Sequence, residues 1–379
     1  MFDELTMPWV VFVAGNFLLF WGFFLLFFPE KEENFRNGFL ISALILLALA
    51  IGLRAWNVGI DTPKYVAAFA SRKVLVYHQL EIYEPLYIVL GLFLRSLLVD
   101  YHLFLFLWSF FLAFFLFLAY RSLLPPRLAP LALGLYTGSF VFWLSNLSML
   151  RQGLTISLLF YAYALYERGK GRAALFTASL APLLHFSALL FPFFYFLWRF
   201  LLYLTRRGGS WFFLLLAGTI LGLLYPGSLF HGLLKAVFDL LYRLFAHPYV
   251  EKIQWYLTWS KLTPWHLKHV YYLLLALLLV GALGARRHER LAAPFSLLWA
   301  GFLVIFLCKY DEMVADRMFM YFVPGVPVLI LSLVKCFFPE RDQRLLYAAL
   351  LCAGLVWFNV KFFLLQYQGW FISPFPAVR

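Results

Sequence analysis

Apolar runs succeed one another along the chain from residue 9 to residue 365, with polar residues gathered in short clusters between them. Most runs approach the roughly 20 residues that a helix needs to cross a bilayer. The pattern predicts passes over residues 9–28, 39–53, 101–120, 128–144, 147–166, 211–225, 268–284, 291–308, 318–334 and 345–365. The run "AALFTASLAPLLHFSALLFPFFYFLWRFLLYL" contains Pro182 and Pro192, which break a single long helix. It reads as a tight hairpin of two short passes with His185 near its tip; one kinked helix is the alternative. Residues 85–99 carry Arg95 and read as a segment that dips in without crossing. The expected fold is therefore an all-α polytopic membrane protein, one membrane domain over residues 1–379, with about 12 transmembrane helices plus a partial, re-entrant segment.

Composition strengthens this reading. The chain has 379 residues, 64% of them hydrophobic, and a mean hydropathy of +0.84. A soluble domain has no use for that much apolar surface, and no cleavable leader or low-complexity linker is expected. The formal charge of +13 would suggest nucleic acid in a soluble protein. Here the excess lies in short loops such as "ERGKGR", "GARRHER" and "PERDQR", and in the turns at Arg121–Arg127 and Arg206–Arg207. By the positive-inside rule these loops are cytoplasmic. Residues 54–84 and the long stretch 226–266 then form outer loops, and both termini lie outside. Cys308, Cys336 and Cys352 lack metal or redox spacing and read as small core residues.

A few polar residues do not suit a lipid-facing wall. Arg151 sits inside "LSNLSMLRQGLTISLLF", where a charge costs at least a few kcal/mol even on lenient scales of order 3 kcal/mol. Ser148, Arg151, Gln152 and Thr155 fall at i, i+3, i+4 and i+7 and share one helix face. That face must look into the bundle, either toward a buried carboxylate or toward an anionic ligand. "LRAWNVGIDTPKY" places Arg54 at a helix end, where an arginine often snorkels, and Asp61 and Tyr65 one turn apart. Asp61 suits a helix cap as well as a site. In "EIYEPLY", Glu84 precedes Pro85 at a helix start and is followed by Tyr87; it suits the helix dipole or a catalytic carboxylate. "LLHFSALL" holds His185 and Ser187, and "DEMVADRMFMYF" holds Asp316, Arg317 and Tyr321. On the topology above, Arg54, Asp61, Glu84, Arg151, His185, Asp316 and Arg317 all fall near the outer face, which suggests one polar, basic cavity opening outward.

Arginines at membrane depth beside a histidine and carboxylates suit a lipid-linked diphosphate. A guanidinium binds phosphate oxygens bidentately and stays charged when partly dry. In glycosyl transfer from such a donor, fixed cations stabilise the charge that develops on the leaving diphosphate, and the acceptor hydroxyl needs a general base. No metal-ligand spacing and no phosphate-binding loop is present, so neither a metal, an NTP nor any other cofactor is expected.

In order, these motifs resemble the EpsG family, Wzy-like polymerases of bacterial exopolysaccharide and O-antigen. The matches are Arg54, Gly59, Asp61 and Tyr65; Glu84, Pro85 and Tyr87; Asn146, Arg151 and Gln152; His185, Ser187 and Ala188; and Arg317, Tyr321 and Phe322. They span residues 54–322. "GID" stands where the family's loop reads closer to G-T-D, and the stretch 226–266 maps onto no family feature. The resemblance implies a membrane glycosyltransferase of GT-C-like architecture at the outer face of the bacterial cytoplasmic (inner) membrane. Its donor and acceptor are glycans linked to undecaprenyl diphosphate, and a chain-length regulator is a further candidate partner. It also implies that Arg151, with Arg317 and Arg54, holds the donor diphosphate, and that His185, Asp61 or Glu84 is the base; Tyr65, Tyr87, Gln152, Ser187 and Tyr321 are further substrate contacts. Two other readings stay open: an O-antigen ligase or other polyprenyl-linked glycosyltransferase, and a flippase for lipid-linked oligosaccharides.

Overall fold

The computed structural model describes residues 33–59, 61–70, 84–97, 100–224, 228–245, 268–308 and 312–364, with isolated helical positions between 10 and 20. Among the described residues nearly everything outside the turns is helix and no β-strand occurs. The chain divides into two compact units, residues 1–188 with 338–379 and residues 189–337.

In the first unit α1 (Glu33–Gly52), α2 (Thr62–Ala70), α3 (Pro85–Leu97), α4 (Tyr101–Leu123), α5 (Ala129–Thr137), α6 (Phe140–Leu147), α7 (Leu150–Glu167) and α8 (Gly171–Leu184) follow one another, and α16 (Glu340–Leu364) closes the chain. Helix α4 starts sharply because the Asp100 carboxylate accepts the His102 N–H at 3.0 Å. It packs against α1 and α7, and α7 packs against α8. Helix α7 is the core: every residue from Arg151 to Phe160 is buried. Gly153 allows this, since a Cβ there would stand 2.7 Å from both Leu112 Cδ1 and Ser145 Cβ. At the far end of α7, Arg168 donates from Nε to Ser122 O (2.7 Å) and from Nη2 to Arg121 O (3.1 Å), so it caps the last carbonyls of α4.

The second unit holds α9 (Phe191–Arg207), α10 (Ser210–Leu224), α11 (Ser228–Phe245), α12 (Lys268–Arg287), α13 (Ala292–Cys308), α14 (Glu312–Phe319) and α15 (Gly325–Phe337). Its centre is α13, whose Trp299 is fully buried against Phe212 and Phe295 and donates its indole N–H to Thr219 Oγ1 at 3.1 Å.

Among the described residues three helical stretches are long and apolar enough to cross a bilayer: Tyr101–Leu123, Phe186–Arg207 and Glu289–Cys308. Shorter apolar helices include Leu40–Gly52, Pro85–Leu97 and Gly171–Leu184. Three stretches differ from the expected passes. Residues 318–334 are divided by the turn at 320–324, since α14 ends at Phe319 and α15 begins at Gly325. Residues 128–144 are not one helix: α5 ends at Thr137, and Ser139 opens α6 by accepting the Phe142 N–H at 3.4 Å. Nor does α7 include Ser148. The N–H groups of Ser148 and Met149 both turn back to Leu144 O at 2.9 Å, so Ser148 closes α6 while Arg151, Gln152 and Thr155 lie in α7. Within the stretch 226–266 the described part is the helix α11. The expected pass over 9–28 falls almost wholly outside the described residues.

Candidate active site

The site is built around the junction between α6 and α7, because Arg151 is the second residue of α7. Two side chains fix that junction through its carbonyls. Thr62 Oγ1 donates to Leu147 O at 2.7 Å, and Trp108 Nε1 donates to Leu150 O at 2.7 Å. Gly59 explains why the first contact is possible. Its φ is +95°, a region that side chains rarely adopt, and a Cβ there would stand 1.9 Å from Leu147 O. Gly59 and Thr62 therefore lie directly on the end of α6.

Arg54 supports this turn from beneath. It has no exposed surface, and it donates from Nη1 to Ile51 O (3.1 Å) and from Nη2 to Thr62 Oγ1 (3.2 Å). The chain Arg54–Thr62–Leu147 thus ties the end of α1 and the start of α2 to the end of α6. Asp61, one residue before Thr62, is partly exposed and pairs locally with Lys64 at 3.2 Å.

Arg151 is 9% exposed. Its Nη1 donates to Glu84 Oε2, an ion pair. Its guanidinium carbon lies 5.7 Å from the Tyr65 ring centroid and 5.4 Å from that of Tyr87, within cation–π range. The two rings are themselves 5.9 Å apart, and Tyr87 packs edge-on to Trp108 at 5.3 Å. Gln152 is buried beside Arg151, and Thr155 Oγ1 donates back to Arg151 O at 2.8 Å.

Glu84 is fully buried. Pro85 holds the first helical position of α3, which leaves Glu84 just outside the helix and turned inward. Its second oxygen, Oε1, accepts the Phe186 N–H at 3.1 Å. That bond brings in the third motif. Helix α8 ends at Leu184, His185 is extended (φ −157°, ψ 122°), and a short 3-10 helix runs over Phe186–Leu190. His185 caps that helix: its Nδ1 accepts the Ser187 N–H at 3.2 Å, and Ser187 Oγ lies 2.7 Å from the same nitrogen.

The structure thus brings Tyr65, Glu84, Tyr87, Arg151 and the His185–Ser187 segment together, from four separate parts of the sequence. Arg54 reaches them only through Thr62 and the backbone. Arg317 and Tyr321 belong to the second unit: Arg317 is half-buried in α14, and the buried Tyr321 ring lies 6.4 Å from that of Phe194. The side chain of Asp316 lies outside the described residues. Among the described residues no three His, Cys, Asp or Glu side chains gather as a metal-ligand cluster. Sequence reading missed Thr62 and Trp108. Thr62 stands next to the singled-out "GID", but Trp108 is one aromatic among many.

A helical membrane protein whose polar residues converge on one buried arginine is the class this describes. The chain belongs to the EpsG family, whose model matches residues 37–372, and this is the family of Wzy-like polysaccharide polymerases. No curated protein matches the chain, and no solved structure does. The match covers Tyr65, Glu84, Tyr87, Arg151 and the His185–Ser187 segment, and also Arg317 and Tyr321.

Proposed function

We propose that this protein polymerises oligosaccharide repeat units carried on undecaprenyl diphosphate, at the outer face of the bacterial cytoplasmic membrane, as a glycosyltransferase of GT-C-like architecture. The observation that carries the reading is the convergence of three family motifs on Arg151: E-P at Glu84, R-Q at Arg151 and H-x-S at His185. A structural arginine needs one carboxylate. This one also has two tyrosine faces, and its partner Glu84 accepts a hydrogen bond from the histidine-bearing turn.

In the proposed reaction the bond from the donor's anomeric carbon to the diphosphate breaks, and a bond to the acceptor hydroxyl forms. The hydroxyl proton passes to a base, and undecaprenyl diphosphate leaves with its charge. Arg151 meets that charge through its planar fork. Arg317 is the second proposed diphosphate ligand, and Tyr321 a further proposed substrate contact. Arg54, fully buried and bonded to Ile51 and Thr62, is assigned to bracing rather than to ligand contact. Asp61 and Glu84 are the proposed bases. Tyr65, Tyr87, Gln152 and Ser187 shape the pocket. A chain-length regulator is a proposed partner.

The outer-face placement is supported by the length of α7. Its 18 residues span about 27 Å, with Arg151 at one end and the basic Arg168 loop at the other. A cytoplasmic Arg168 loop leaves Arg151 on the outer side.

The test is polymerisation by purified protein in nanodiscs supplied with an undecaprenyl-diphosphate-linked repeat unit. A ladder of multiples is expected from the wild type. Arg151→Lys, which keeps the charge beside Glu84 but loses the fork, should reach the same membrane level and give no ladder. Folded wild-type protein that makes no ladder would overturn the reading; the same substrate with a lipid acceptor, or in sealed vesicles, would then separate ligase from flippase.

A further inference from the structure

We infer that His185 serves the site as a hydrogen-bond donor through Nε2–H, not as the base that takes the acceptor proton; this rests on the glycosyl-transfer reading above. The inference comes from the backbone around the ring. The Ser187 N–H points at His185 Nδ1 at 3.2 Å. A backbone N–H has only a proton to give, so Nδ1 must accept, and a neutral ring then carries its proton on Nε2. The Ser187 hydroxyl lies 2.7 Å from the same nitrogen and, on this tautomer, donates to it.

The ring has no easy route to the other tautomer. His185 is the residue on which the 3-10 helix is founded: its carbonyl accepts the Ala188 N–H at 3.0 Å while its ring accepts the Ser187 N–H. The neighbouring Phe186 N–H is held by Glu84. All three N–H groups at the start of this short helix are therefore engaged, and the ring orientation follows from the backbone. A proton on Nδ1 would face the Ser187 N–H donor to donor.

The consequence is chemical. A base acting through Nε2 needs a bare Nε2, and this ring presents N–H there. Such a donor suits an anion: the departing diphosphate or the oxygen that bridges it to the sugar. His185 then acts alongside Arg151 on the leaving group, and the acceptor proton falls to a carboxylate.

Two measurements test this. The first is nitrogen NMR of histidine-labelled protein in bilayers, with the His185 signals identified by their loss in His185→Asn. A protonated Nε2 and a bare Nδ1 are expected; a bare Nε2 in the neutral ring overturns the inference, whatever the protein's activity. The second is polymerisation rate. His185→Ala should lose about 100-fold, the scale for one donor to a developing anion. A glutamine amide reaches the place of Nε2 and an asparagine amide only that of Nδ1, so His185→Gln should recover about tenfold over His185→Ala, on the scale of one donor hydrogen bond, and His185→Asn should not. Equal rates for Gln and Ala variants overturn the donor role. If the tautomer is as assigned but wild-type protein forms no ladder, the polymerase reading fails and the ring assignment stands.

Discussion

Arg151 and Glu84 justify each other's burial, and this makes their substitutions interpretable. Removing one partner leaves the other as a lone charge in a site almost closed to water, with side-chain exposures of 10% and 1%. Such losses run to about 3–5 kcal/mol. Arg151→Ala and Glu84→Gln should therefore each lower the unfolding midpoint in detergent. The double variant Glu84→Gln with Arg151→Met should regain much of that stability, since apolar replacement of a buried pair is close to neutral. Polymerisation should stay lost in the double variant. Additive losses in stability would mean that the two charges are not coupled. Gly59→Ala should also destabilise, by at least about 1–3 kcal/mol for the backbone conformation alone, because the new Cβ meets Leu147 O at 1.9 Å as well. At this scale much of the site was legible. A charge or histidine within an apolar run stands out, and Arg151, Glu84 and His185 do so. The pairing was legible only as an alternative, since sequence does not say which carboxylate faces an arginine. Arg54 stood out equally, and its bonds to Ile51 and Thr62 are contacts that sequence does not reveal.

The junction between α6 and α7 is the element that aims Arg151, and it is held by groups that touch backbone rather than substrate. Trp108→Phe keeps the ring against Tyr87 and removes the indole N–H. It should cost about 1 kcal/mol, the net worth of a neutral hydrogen bond. Turnover of the folded variant should fall by about tenfold or more, since small displacements of a positioning arginine are amplified in the rate. A variant with normal turnover would mean that Leu150 does not need this anchor. Thr62→Val should be more costly, because the hydroxyl both donates to Leu147 O and accepts from the buried Arg54. These anchors escaped sequence reading for a physical reason: a carbonyl partner carries no side-chain signature. Other elements were misjudged for reasons the residues show. The apolar run over 128–144 is unbroken in hydropathy, but Gly138 and Ser139 supply the turn and cap that divide α5 from α6. In α11 the residues His231, Lys235, Asp239 and Arg243 recur every fourth position. That stripe lowers the mean hydropathy of the stretch, so it read as a loop, although the spacing is that of an amphipathic helix. The break near His185, by contrast, was expected from Pro182 and Pro192, although the helix runs on through Pro182 to Leu184.

At the scale of the whole molecule the question is which side of the membrane the site faces, and each unit bears on it by itself. In the first, Arg168 bonds the carbonyls of Arg121 and Ser122, so the two basic turns share one end. In the second, Arg206 and Glu289 approach to 3.7 Å, which brings the Arg206–Arg207 turn and the Gly284–Arg290 loop to one end as well. The positive-inside rule assigned these loops to the cytoplasm from charge alone, without reference to contact. Lys64 lies beside the Arg151 site, and Lys170 lies beyond the opposite end of α7; both are exposed. In a background where Cys308, Cys336 and Cys352 are replaced, Lys64→Cys should react with a membrane-impermeant thiol reagent added to cells whose inner membrane is intact. Lys170→Cys and Arg287→Cys should react only once that membrane is opened. The reverse pattern would put the Arg151 site in the cytoplasm, where a donor already carried across the membrane cannot reach it. Labelling of Lys64→Cys and Lys170→Cys from the same side would mean that α7 does not cross, and the roughly 27 Å it spans would no longer separate the arginine from the basic loop.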